Sequence, residues 1–261
     1  MTPKTLHASS AGDAGPPVIL LHGLFGMGSN LGALSRALED GYRVHSLDLP
    51  DHGRSPWTGG TDLPRMASAV RRWMNEAGIG RAHLVGHSLG GKVAMQLALA
   101  EPDAVAALVV ADIAPVAYRG SHDAVFTALA AVEAAAVDSR QAAGELLRRY
   151  LEEEGVVQFL LLSLVRRDDG RWAWRFDRAG LEANYPAYLA APAAAGPYPG
   201  PALFLRGGRS PYVADEYLPV IREHFPEARM ETLAGCGHWL HAEEPARFNA
   251  LVRAFLDDTA G

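Results

Sequence analysis

The sequence predicts an α/β protein built on a mostly parallel sheet, and three observations carry that prediction. Short apolar runs alternate with helix-spaced segments, the rhythm of strands joined by crossover helices. Two of those runs lead straight into glycine-rich turns, at residues 23–28 and 86–91. The 261 residues are 49% hydrophobic and 21% charged, a globular balance. A chain of this length can bury roughly 70–75% of its unfolded surface without covalent staples.

Taken in order, residues 17–21 read as a buried strand, 43–49 as a second strand ending at Asp48 and Pro50, and 63–74 as a helix. A short strand at 83–85 precedes a helix at 92–100, and 106–111 returns to strand. Strand rhythm resumes at 202–206 and 229–233, each followed by a helix. Between them the rhythm changes: 124–136 and 141–151 read as alanine-rich helices with no strong core strand. Gly196-Pro197-Tyr198-Pro199-Gly200-Pro201 then breaks the chain as a boundary would. The expected organisation is a core over 1–115 and 201–261, interrupted by a helical insertion over 116–200.

Several function classes fall away on composition. A net charge of −6 disfavours nucleic-acid binding, which draws on basic patches. The single cysteine, Cys236, excludes an internal disulfide and a multi-cysteine zinc site and reads as a small packing residue. Neither a signal peptide in the first fifteen residues nor a membrane span of roughly 18 apolar residues is visible, so the expectation is a cytoplasmic protein. Gly23, Gly26 and Gly28 are followed by neither a Lys-Ser/Thr pair nor a dinucleotide fingerprint, and no His-Glu-x-x-His spacing occurs. No cofactor or metal is expected.

The strongest chemical signal is Gly86-His87-Ser88-Leu89-Gly90 between strand and helix, the setting of a nucleophile elbow. Flanking glycines let strand and helix approach while the turn strains Ser88. Its hydroxyl then projects at a helix N-terminus, where amides stabilise negative charge. Serine needs a base. Of the ten histidines, His238 in Gly235-Cys236-Gly237-His238-Trp239 is best placed, on a small-residue loop after the last strand. His22 reads as ordering its glycine loop, His87 as a packing or pocket residue, and His241 as surface. Amides of Leu24 and Leu89 are the expected oxyanion donors, with Phe25 the alternative to Leu24. Phe25, His87 and Trp239 are candidate pocket residues. Phe126, Trp172 and Trp174 add apolar bulk in the insertion, either as pocket wall or as core.

Together Leu21-His22-Gly23, Asp48-Leu49-Pro50-Asp51-His52-Gly53-Arg54-Ser55, the Ser88 elbow and Gly237-His238 resemble the α/β-hydrolases over nearly the whole chain. Within that superfamily, residues 26–31, 86–92, 111–116 and 172–176 make it most similar to the small YbfF-type esterases. The resemblance implies that 116–200 is a cap over the active site. It also implies hydrolysis of carboxylic esters or thioesters, here expected to carry short or medium acyl chains. The implied partner is a small-molecule ester, and no organic cofactor or metal is required. Asp51-His52-Gly53 reads as a structural turn.

The acid departs from the commoner superfamily pattern. Many α/β-hydrolases carry an aspartate shortly after the strand equivalent to 202–206, where Ser210 stands here. Asp112, at the end of the strand beside the nucleophile strand, opens onto the same crevice and is the expected acid. Asp215 and Glu216 remain alternatives. A lyase or carbon–carbon bond hydrolase with the same triad, suggested by a likeness of residues 48–55 to menaquinone-pathway lyases, and a low-turnover binding protein compete with the esterase reading.

Overall fold

The computed structural model describes residues 5–120, 122–193 and 195–259. Positions 1–4 and 260–261, at the limits of the expected core, and 121 and 194 in the expected insertion lie outside them. Strands β1 (Ala8–Ala11), β2 (Pro17–Leu21) and β3 (Arg43–Leu47) are followed by β4 (Ala82–His87) and β5 (Val105–Ala111), then β8 (Ala202–Gly207) and β9 (Ala228–Leu233). They form one sheet in the order β1-β3-β2-β4-β5-β8-β9. Only β1 runs antiparallel, against β3. Its sequence, Ala-Ser-Ser-Ala, has no apolar run because an edge strand need not bury both faces. That is why the sequence reading missed it.

Helices α1 (Gly32–Leu38) and α10 (Pro245–Thr259) cover one face, and α2 (Leu63–Glu76) and α3 (Leu89–Ala100) cover the other. Alternation along the central strands divides the core. Val18, Leu20, Val85 and Val109 pack with Leu34, Leu38, Phe248 and Val252. Ile19, Leu21, Leu84 and Leu108 pack with Met66, Val70, Val93 and Leu97. Two further helices, α8 (Leu218–His224) and α9 (Leu240–Glu243), flank β9.

The chain between β5 and β8 is the helical insertion. It holds α4 (Asp123–Ala134), α5 (Arg140–Leu147), α6 (Glu154–Leu162) and α7 (Arg178–Leu189). It also holds a hairpin of β6 (Leu164–Arg166) and β7 (Trp172–Trp174), which the sequence reading did not anticipate: three-residue strands are too short to show a period. Helices α6 and α7 were missed too. Phe126, Leu129, Leu160 and Trp174 share one apolar cluster with α2 and α3, so the insertion packs onto the core.

Two contacts hold the end of α7 on α3. Lys92 Nζ donates to the carbonyls of Leu189 (2.8 Å) and Ala190 (2.6 Å), with Tyr188 at 3.4 Å. Gln96 Nε2 donates to the Ala193 carbonyl (3.0 Å), and the Ala193 amide donates back to Gln96 Oε1 (2.8 Å).

Candidate active site

Parallel strands deliver their C-terminal ends to one edge of the sheet, and three of the expected residues meet there. Ser88 joins β4 to α3 with φ +53° and ψ −118°, a conformation that an L side chain rarely adopts. The turn closes only because its neighbours are glycines. A Cβ on Gly86 would lie 2.3 Å from the Gly90 carbonyl oxygen, and one on Gly90 would lie 2.2 Å from that of Leu21. The Ser88 amide donates to the Ala111 carbonyl (3.0 Å), which ties the elbow to the neighbouring strand.

His238 stands on the loop between β9 and α9. Its Nε2 is 3.1 Å from Ser88 Oγ, and its Nδ1 is 2.7 Å from Asp112 Oδ2. An ionised carboxylate only accepts, so Nδ1–H donates to Asp112 and Nε2 is left to accept from the Ser88 hydroxyl. Asp112 follows β5 with φ +54° and is fully buried. The Gly207 amide donates to its Oδ1 (2.9 Å), and the Ser210 hydroxyl donates to its Oδ2. Ser210, at the commoner acid position, thus donates to the carboxylate that faces His238. Asp215 instead pairs with Arg206 (2.5 Å), and its side chain is 81% exposed.

The imidazole of His238 is held from several sides. The Tyr212 ring lies against it at 4.3 Å and His87 at 4.8 Å, while Trp239 sits edge-on at 5.8 Å. His87 Nε2–H also donates to the His238 backbone carbonyl (2.8 Å). His241, expected at the surface, packs its ring on His87 at 4.4 Å. The sequence carried no signal for this, because α9 folds back across the end of β4. Cys236 is buried in the core, and burial pushes its thiol up.

The loop after β2 faces Ser88, and two buried histidines shape it. His22 Nδ1–H donates to the Gly23 carbonyl (2.7 Å), and its Nε2 accepts from the Leu49 amide (3.0 Å). His52 Nδ1–H donates to the Pro50 carbonyl (2.8 Å), and its Nε2 accepts from the Phe25 amide (3.2 Å). Burial pushes His22 down to about 4 and His52 to about 3, so both act as neutral hydrogen-bonding groups. The Phe25 amide is therefore occupied. Those of Leu24 and Leu89 have no acceptor among the described residues. Asp48 completes the loop's frame by accepting from the amides of Gly28 (2.7 Å) and Arg54 (2.8 Å). Ser163, which no sequence signal singled out, donates from the insertion to the Phe25 carbonyl (2.8 Å).

A cavity of about 650 Å³ opens above Ser88 and is lined by Phe25, His87 and Trp239 together with Val125, Val156, Phe159 and Tyr212. Phe126, Trp172 and Trp174 of the insertion do not line it. Trp174 and Phe126 are core, and Trp172 Nε1 donates to the Asp138 carbonyl (2.8 Å). Among the described residues no cluster of three His, Cys, Asp or Glu side chains could hold a metal ion. No described helix is long and apolar enough to cross a membrane.

The sheet that brings these residues together is one that known proteins share. The family model of the alpha/beta hydrolase fold matches residues 16–245, and the chain belongs to that family. Among its relatives it is similar to Esterase YbfF of Escherichia coli, 40% identical over 93% of each chain. It is also similar to the mouse sn-1-specific diacylglycerol lipase ABHD11, 38% identical over 92% of this chain and 81% of that one. A solved marine microorganism esterase superposes with a TM-score of 0.93 at 34% identity, over 96% of this chain and 99% of its own.

Proposed function

We propose that this protein is a serine esterase that cleaves carboxylic esters or thioesters of short or medium acyl chains through an acyl-enzyme. The observation that carries the reading is the continuous hydrogen-bonded line from Ser88 through His238 to Asp112 at the floor of the cavity. Ser88 Oγ attacks the ester carbonyl while His238 Nε2 takes its proton. Asp112 holds the ring and stabilises the imidazolium. The Leu24 and Leu89 amides receive the oxyanion, the second aided by the start of α3. His238 then protonates the leaving oxygen or sulfur, and the acyl group stays on Ser88. A water molecule, deprotonated by His238, releases the acid and restores the serine. Relatives named as esterases and as a diacylglycerol lipase support this class of reaction. In the same reading, 1–115 and 201–261 form the hydrolase core and 116–200 is the cap that walls the cavity. The scheme requires neither metal nor organic cofactor, so prolonged chelation should leave the rate unchanged.

The test is a fluorophosphonate label with multiple-turnover hydrolysis of a nitrophenyl ester, on the wild type and on Ser88→Ala. The expected result is label on Ser88 alone and a fall in kcat on the order of 10⁶ in the variant, as for another serine hydrolase. Turnover within tenfold of wild type in Ser88→Ala overturns the assignment. Labelling without turnover would indicate a binding protein.

A further inference from the structure

A second, smaller cavity of about 60 Å³ also reaches Ser88. It runs between Leu89 and Lys92 on α3, Ile113 after β5, and Tyr188 and Leu189 at the end of α7. Ser88 and Leu24 line both spaces, whereas His238 lines only the larger one. If the site works as an esterase, on which this inference rests, that asymmetry orients the substrate. The leaving oxygen must receive its proton from His238 Nε2, so it departs on the side of His238. The carbonyl oxygen turns toward the Leu24 and Leu89 amides. One direction is left for the acyl chain: the space that touches Ser88 without touching His238.

We propose that the small cavity takes the acyl chain and the large cavity takes the alcohol or thiol. The size of each then sets the substrate class. A water-sized group needs roughly 10–15 Å³ of such space, so about 60 Å³ accepts an acyl chain of about four to six carbons. The large cavity, about 650 Å³, lies within the ordinary range for whole ligands and accepts a bulky leaving group. The small cavity cannot easily lengthen, because the 188–193 stretch is held on α3 by Lys92 and by the reciprocal Gln96–Ala193 pair. The preferred substrates are short-chain acyl esters of large alcohols or thiols.

Octyl butanoate and butyl octanoate test this directly. They contain the same atoms with the two arms transposed, and their alcohols differ little in acidity. The expected result is a kcat/KM at least about tenfold higher for octyl butanoate, since misplaced methylenes each weigh on discrimination. Leu189→Ala should move the acyl optimum to longer chains while leaving the dependence on alcohol length in place. Ile113→Ala is a second variant with the same expectation should the first not fold. Equal rates, a preference for butyl octanoate, or an acyl optimum unmoved by both variants overturns the assignment of the cavities. Loss of hydrolysis of both esters together with no fluorophosphonate labelling of Ser88 overturns the esterase reading itself.

Discussion

Asp112 is fully buried, and three donors meet its carboxylate: the Gly207 amide, the Ser210 hydroxyl and His238 Nδ1–H. A buried carboxylate is stable only when its lone pairs are matched in this way. On the triad reading, Asp112→Asn should cut kcat by up to about 10⁴ through the wrong tautomer and the lost charge. Asp215→Asn, at a solvent-exposed pair, should stay within about twofold, since such pairs contribute about 1 kcal/mol or less. Steady-state kinetics of both variants decide between the two acids, and a reversed order would move the acid to the later strand. Ser210→Ala removes one charge-assisted hydrogen bond and should cost about tenfold, equivalent to about 1.4 kcal/mol.

At the scale of elements, the decisive junction is between α3, which begins directly after Ser88, and the end of α7. A helix end leaves carbonyls without intrahelical partners, and Lys92 satisfies those of Leu189 and Ala190. Lys92→Met should strip the Ala190 carbonyl of this donor and leave the Leu189 carbonyl with the Tyr118 amide, lowering stability by about 1–3 kcal/mol, read as a shift of the urea midpoint. Burial also pushes Lys92 down from 10.5 to about 7. The unfolded chain therefore binds more protons than the folded one between those values, and stability from this group rises with pH across that window. Lys92→Met should flatten that rise, and an unaltered slope in the variant would assign it elsewhere.

At the scale of the whole molecule, acid should be the weak side of this fold. Burial holds His22, His122 and His241 at about 4 and His52 at about 3, against an ordinary value of 6.5. Below that value the unfolded chain takes up protons that the folded chain refuses. The stability these groups confer is present above about 6.5 and is lost as pH falls toward 4. At its steepest the loss is about 1.4 kcal/mol per histidine per pH unit. Thermal unfolding between pH 7 and pH 5 should show a falling Tm. Replacing His22 and His52 with glutamine, which keeps hydrogen-bonding capacity without a proton to gain, should make that fall shallower. A Tm that does not change over this range would rule the effect out.

Local sterics made the elbow legible in advance. Gly86 and Gly90 are where any side chain would strike backbone, and a serine between two such glycines, after a strand and before a helix, leaves few other readings. The loop order of His22, Asp48, Ser88, Asp112 and His238 was equally readable, because parallel strands must present their ends together. Contacts across long sequence separations left no such trace. Asp112, the acid expected from its place directly after β5, faces His238, whereas Asp215 lies well past the end of β8 and pairs with Arg206; the donors that meet Asp112 came only with the fold. His241 against His87, and Ser163 on the Phe25 carbonyl, depend on how α9 and the insertion pack. The walls of both cavities are set the same way. A side chain's own neighbours in sequence say what shape the backbone takes, while its neighbours in space, which only the folded chain brings together, say what that shape can bind.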